Sequence, residues 1–258
     1  MAKCYNEKED QTIESDEGTI MKAAVCRAAA REDLKKIPAK VYAPLGLLAC
    51  YLTAIPNVIG IYASAGDVNW GLTILAFALA LLAYLYQAAF MLYLKRWRAH
   101  VKIGAVKPTF WEVLSSKRIP RLLEYAVLQS VLTQSVDVVS MRVMTDDKMT
   151  SGLRFSITTL LAIILIWFLM RLSQVPYLID DDLLEGNRNG FFDEVNESWR
   201  LMKGRCWSFF FLNLSFLGWI ILQNVTGGLL SFFVQPYLAL ACAEFYSQIL
   251  EDEHIFDR

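Results

Sequence analysis

Six stretches of the chain are apolar over roughly the length of a bilayer, at residues 41–64, 70–94, 121–143, 155–178, 207–222 and 229–250. A membrane-crossing helix needs about 20 such residues, and LTILAFALALLAYLYQAAFMLYL, residues 72–94, meets that length almost without interruption. The spacing predicts an all-α integral membrane bundle of six spans in a membrane domain at 41–250. Pro44 and Pro56 lie near the ends of the first span, where neighbouring helices can satisfy freed carbonyls. The turn AGDVN leaves room only for a tight hairpin before Trp70 opens the second span. KRWRAHVK is read as a basic loop after the second span ends at Leu94. The hairpin joining the fifth and sixth spans is QNVTGG.

The third span is the most polar. Its Gln129, Ser130, Thr133, Asp137 and Ser140 share one helical side, while Val127, Leu128, Val131, Leu132, Val138 and Val139 cover the other.

Two further stretches are amphipathic rather than apolar. MKAAVCRAAAREDLKKI, within residues 21–40, reads as a helix on the cytoplasmic surface. In the segment 183–204, Phe191, Phe192, Val195, Trp199 and Met202 fall within an arc of about 100°, opposite Asp193, Asn196, Glu197, Arg200 and Lys203. This is read as an interfacial helix, with Gly204 the bend where the chain turns into the bilayer. Residues 1–20 read as a disordered acidic tail and 251–258 as a C-terminal tail, with Met21 an alternative start. MAKCYNEKEDQTIESDEG lacks the basic start and apolar core of a signal peptide.

Composition agrees with this pattern: 55% of the 258 residues are hydrophobic, and the mean hydropathy is +0.36 despite the polar start. A net charge of −1 gives no global basic field for nucleic acid. The placement of charge is more informative. With Arg121 and Arg171 at span ends, only Arg142, Lys148 and Arg154 of the 25 Lys and Arg residues fall in the three loops opposite the termini. The positive-inside rule then puts both termini in the cytoplasm. The five cysteines show no ligand spacing and read as reduced, small apolar residues.

VPYLIDDD, VNESWRLMKGRCWSFFFLNLSFLGWIIL and QPYLALACAEFY carry a more specific signal. Together they resemble a bacterial multi-pass membrane family catalogued as domain of unknown function family 975. The matching positions include Pro176, Tyr177, Asp180, Ser198, Leu201, Met202, Lys203, Gly204, Leu214, Ser215, Phe216, Gly218, Trp219, Pro236, Tyr237, Phe245 and Tyr246. The resemblance implies a bacterial cytoplasmic membrane location and supplies no reaction, cofactor or substrate.

Asp137 is the sharpest chemical candidate, since an ionisable group at membrane depth usually faces a cavity, a partner or an ion path. With Gln129, Thr133 and Ser140 it would form the polar wall of a permeation route. The plainer reading, favoured at this stage, places Asp137 near the outer interface close to Arg142. Trp199, Lys203, Arg205 and Trp207 suit lipid headgroups through the generic pairing of indole and basic side chains with the interface. The acidic run Asp180, Asp181, Asp182 and Glu185 offers oxygen ligands for a cation, but is read instead as a solvated helix start. The repeated Pro-Tyr-Leu at 176 and 236 is read as prolines that each bend or terminate a span, with tyrosines that anchor at an interface or cap a packing contact. Gly218 is expected to allow close helix packing.

His100 and His254 have no catalytic company, and no HExxH, GxSxG or Gly-rich phosphate loop occurs. The sequence therefore suggests no enzyme site, metal or cofactor. It favours an accessory, scaffold or membrane-organising component in contact with the bilayer and with a protein partner or a second copy. A small permease using the polar face of the third span is the alternative.

Overall fold

The structure, a computed structural model, describes residues 23–64, 70–114, 118–145, 149–186 and 190–256. The acidic tail, the alternative start at Met21, the AGDVN turn, Lys148 and the side chain of His254 lie outside the described residues. Every regular element among the described residues is helical: α1 (23–36), α2 (Ala39–Ser64), α3 (Trp70–Ile103), α4 (Phe110–Val113), α5 (Ile119–Thr145), α6 (Ser151–Leu172), α7 (Val175–Glu185), α8 (Phe191–Leu201), α9 (Cys206–Leu214), α10 (Leu217–Val225) and α11 (Ser231–Phe256).

α2 and α3 form an antiparallel hairpin, and α11 packs against both. α5 lies on the other side of α3 and carries α6 at the edge. α9 contacts α6 while α10 contacts α11, so the fifth apolar stretch bridges the two sides of the bundle. Among the described residues, four segments are long and apolar enough to cross a membrane: Ala39–Gly60, Trp70–Ile103, Ser151–Glu185 and Cys206–Val225. α5 and α11 have comparable length, at 27 and 26 residues, with more polar sequences.

The apolar residues of the perimeter point outward. Leu160, Ile163, Ile164 and Ile166 of α6 are exposed, as are Leu48, Ile55, Ile74, Ile221 and Val225 elsewhere. Such a continuous apolar surface would be an aggregation hazard in water and is suited to hydrocarbon. The chain is thus a membrane protein built as an all-α bundle.

Several boundaries differ from the expected ones. KRWRAHVK is no loop: α3 runs on as one helix through Ile103, and its 34 residues span about 51 Å. Trp97 and Arg98 are buried there: α1 and α11 supply partners for Arg98, and Trp97 packs on Tyr93 and His100. The fourth apolar stretch breaks at Ser173 and Gln174, just before Pro176 in the first turn of α7. The Asp run is therefore in the body of α7 and does not start a helix. α11 continues unbroken over Pro236 to Phe256, so the second Pro-Tyr-Leu does not terminate a helix.

Gly204 does form a bend, with φ of 79°, a left-handed conformation that glycine adopts without steric cost. Gly218 has open space where a Cβ would stand, so it mediates no close packing. The close approach occurs at Gly46, where a Cβ would come within 2.9 Å of the Ser231 carbonyl oxygen. α2 and α11 therefore meet nearly backbone to backbone.

Candidate functional site

One end of the bundle gathers the charges. Arg98 on α3 donates to Asp33 of α1 at 3.1 Å, to the Ala243 carbonyl at 3.0 Å and to Ser247 of α11 at 2.9 Å. It also pairs with Glu244. Asp33 is buried, so this cluster fastens α1 to the α3–α11 pair. α1 presents Ala23, Cys26, Ala30 and Leu34 to the same core, which also takes Ile37 just beyond its end. The Cys26 thiol donates to Gln248 at 3.3 Å, and burial, with Glu244 nearby, pushes its pKa up to about 11. That thiol is unreactive at neutral pH, as a packing cysteine should be.

The Asp run is likewise enclosed. Asp180 is buried between Arg96 at 2.6 Å and Arg118 at 3.0 Å, and Asp181 pairs with Lys95 at 2.6 Å. The solvated helix start expected for this run is overturned, because α3 projects a row of cations beyond the apolar layer to meet it. The Lys95 ammonium also lies 5.7 Å from the Tyr177 ring centre and 5.0 Å from that of Tyr246. Those rings stack at 5.1 Å, and the Tyr246 hydroxyl donates to Asp181 at 2.7 Å. The first Pro-Tyr pair and the distant Phe-Tyr pair thus close one cation seat. The other Pro-Tyr pair acts separately: Tyr237 donates to the Arg27 carbonyl at 3.2 Å and packs on Phe216 at 4.8 Å.

α8 is rotated by roughly 80° from the orientation its apolar arc predicts, so that Glu194, Ser198, Leu201 and Met202 are buried while Phe192 is exposed. Hydrogen bonds account for the polar residues inside. Ser198 donates to the Arg171 carbonyl at 2.6 Å, and Arg121 pairs with Glu194 at 2.6 Å. Burial pushes the Glu194 carboxyl up to about 7 against the pull of Arg121, with Asp182 and Glu124 adding to the rise. Trp199 is packed on Trp167 and Phe168, with the Arg171 guanidinium 5.3 Å from its ring centre. Of the four residues assigned to headgroups, Trp199 is partly enclosed, Lys203 and Trp207 are exposed, and Arg205 donates to the Leu201 carbonyl at 3.1 Å. Ser215 donates to the Leu212 carbonyl at 2.6 Å at the α9–α10 break, and Trp219 packs on Phe233 at 5.7 Å.

The polar face of α5 opens onto two cavities. Gln129 lines the first, of about 380 Å³, together with Tyr84, Gln87, Ser173, Asn213 and Gln235 among apolar residues of α3, α5, α6, α9 and α11. Asp137 and Ser140 line the second, of about 340 Å³, with Asn57, Thr73, Gln134 and Thr158. The second cavity is bordered by the halves of α2, α3, α5 and α6 remote from the charged end. Thr133 stands between the cavities. It accepts a hydrogen bond from the Tyr84 hydroxyl at 3.1 Å and donates to the Gln129 carbonyl at 2.8 Å. The four residues of the candidate face thus serve two chambers and a divide.

Sequence reasoning missed Tyr84, Gln87 and Gln235, and also the cluster of Asp33, Arg98 and Glu244. Gln87 did carry a signal, as a lone carboxamide inside the most apolar run of the chain. Asp33 carried none, because its partners lie 65 and more residues away.

A family described as Protein of unknown function (DUF975) matches residues 122–253, slightly more than half of the chain. The match takes in α5 to α11 and therefore includes Gln129, Asn213 and Gln235, but not α1 to α3. No curated protein and no solved structure matches the chain.

Proposed function

The chain belongs to the DUF975 family of proteins of unknown function, and we propose that it is a small, non-enzymatic permease or exporter. In this reading it crosses the bacterial cytoplasmic membrane six times, with both termini in the cytoplasm and the charged end of the bundle on that side. The observation that carries it is the pair of cavities along one face of α5, divided at the Tyr84–Thr133 hydrogen bond. Two chambers facing opposite halves of the membrane with a small divide between them are what alternating exposure of a solute requires. The second reading, an accessory or scaffold subunit, draws on the aromatic and basic surface around α8, of which Lys203 and Trp207 are exposed and Trp199 is packed on α6, together with the absence of a catalytic motif in the sequence.

Cysteine accessibility tests the route. Single-cysteine variants at 133, 137 and 140 are treated with a cationic, membrane-impermeant methanethiosulfonate, applied to either face of sealed vesicles. Positions 137 and 140 are expected to react from the non-cytoplasmic face, and position 133 less readily. Protection of all three from both faces, with reaction only toward lipid-soluble N-ethylmaleimide, would sink the proposal.

A further inference from the structure

The first cavity has a chemistry that narrows what it takes, and the inference rests on the transport reading above. Four carboxamides, Gln87, Gln129, Asn213 and Gln235, converge on it from four helices, and no charged side chain lines it. The Gln129 Oε1 atom is buried without a hydrogen-bond partner. A buried carbonyl oxygen is rarely left in that state, because desolvation without a donor is unfavourable. An occupant offering an O–H supplies the donor. An ionised group would find no counter-charge here, and a low-dielectric site strongly disfavours it.

The mouth of the cavity indicates how such an occupant arrives. Ile166 of α6 and Leu214 of α9 line the cavity and are also 49% and 45% exposed on the apolar perimeter. The cavity thus opens sideways toward hydrocarbon, between α6 and α9. Its volume of about 380 Å³ is that of a headgroup with its first few carbons. The tail of an amphiphile would pass out between the two helices and stay in lipid.

We propose that this cavity binds the headgroup of an uncharged, hydroxyl-bearing lipid that enters from the bilayer, with Gln129 accepting from its hydroxyl. The test uses full-length protein in phosphatidylcholine nanodiscs containing a photoactivatable diacylglycerol, with adducts mapped by peptide mass spectrometry. Adducts are expected on the cavity-lining residues of α5, α6 and α9, and unlabelled dioleoylglycerol should compete them away. Gln129→Leu should lower labelling roughly fivefold, the effect of one hydrogen bond, and Leu169→Trp, which fills the cavity, should abolish it. Asn224→Leu, at the exposed end of α10, should change nothing.

Adducts spread over the outer residues of α6, uncompeted and equal in Gln129→Leu, would overturn the site. Equal labelling of the cavity by a photoactivatable phosphatidic acid would overturn the uncharged class. Binding is read here without flux, so its failure leaves the cysteine accessibility of positions 137 and 140 to decide the route independently.

Discussion

α6 and α11 are both helices of bilayer length, 22 and 26 residues, α11 with the more polar sequence, and they occupy opposite environments. In α6 only Leu172 is buried. In α11 the buried residues include Val234, Tyr237, Leu240, Ala241, Ala243, Phe245, Tyr246 and Ile249. Apolar residues alone do not draw a helix inward, because hydrocarbon tails are as apolar as leucine and give no drive toward the protein interior. What separates the helices is residue size and polarity. α6 offers Leu, Ile, Phe and Trp, whereas α11 offers Ala239, Ala241 and Ala243 for close approach and Glu244, Tyr246 and Ser247 for polar partners. Small residues gain contacts with neighbouring helices, and polar groups must find partners that lipid does not provide.

Substitutions can break this contrast. The largest effect is expected from Arg98→Ala, which removes the buried guanidinium between Asp33 and Glu244, leaves only Lys102 to pair with them, at 3.6 Å and 3.2 Å, and loosens α1 from α11. Leaving a buried charge with no partner costs about 3–5 kcal/mol, and the remaining Lys102 contacts put the expected loss at the low end of that range. The measurements are thermal unfolding in nanodiscs and protease protection of α1; unchanged protection would show that apolar contacts alone hold α1.

An intermediate, pH-dependent effect is expected at Glu194. Its folded pKa of about 7 lies above the ordinary carboxylate value. The stability it contributes is therefore complete at pH values below the unfolded pKa and is lost as pH rises through about 7. Hydrogen exchange of α8, corrected for intrinsic rates, should be faster at pH 8 than at pH 5. Glu194→Gln should flatten this difference and tighten α8 at pH 8 by on the order of 1 kcal/mol. An unaltered pH profile in the variant would assign the effect to another group.

The smallest effect is expected on α6. Ile163→Ala, at an exposed position, should shift unfolding by no more than about 0.5 kcal/mol, since the side chain meets solvent hydrocarbon in either state. A loss comparable to that of Arg98→Ala would mean that another chain covers this face.

The apolar runs that became α2, α3, α5, α6, α9 with α10, and α11 were legible in the sequence, as was the bend at Gly204. Their legibility has a physical basis: a bilayer imposes one length and one polarity on each segment, and glycine alone takes φ of 79° without strain. The polar face of α5 was legible too, because helical periodicity alone aligns Gln129, Thr133, Asp137 and Ser140. Its division was not, since the hydroxyl that meets Thr133 belongs to Tyr84, 49 residues earlier.

The sequence by itself determined that the chain is helical, that it belongs in a membrane, and that its basic residues are sorted along its length. These are local properties, set by composition within one or two helical turns. Only the tertiary structure decided that the Asp run is enclosed by Arg96, Arg118 and Lys95, that α8 turns Glu194 and Ser198 inward, and that four distant carboxamides meet at one cavity. Each of those depends on which helix stands beside which. In a bilayer that choice is made by size and by the need of polar groups for partners, which hydropathy along a single chain does not record.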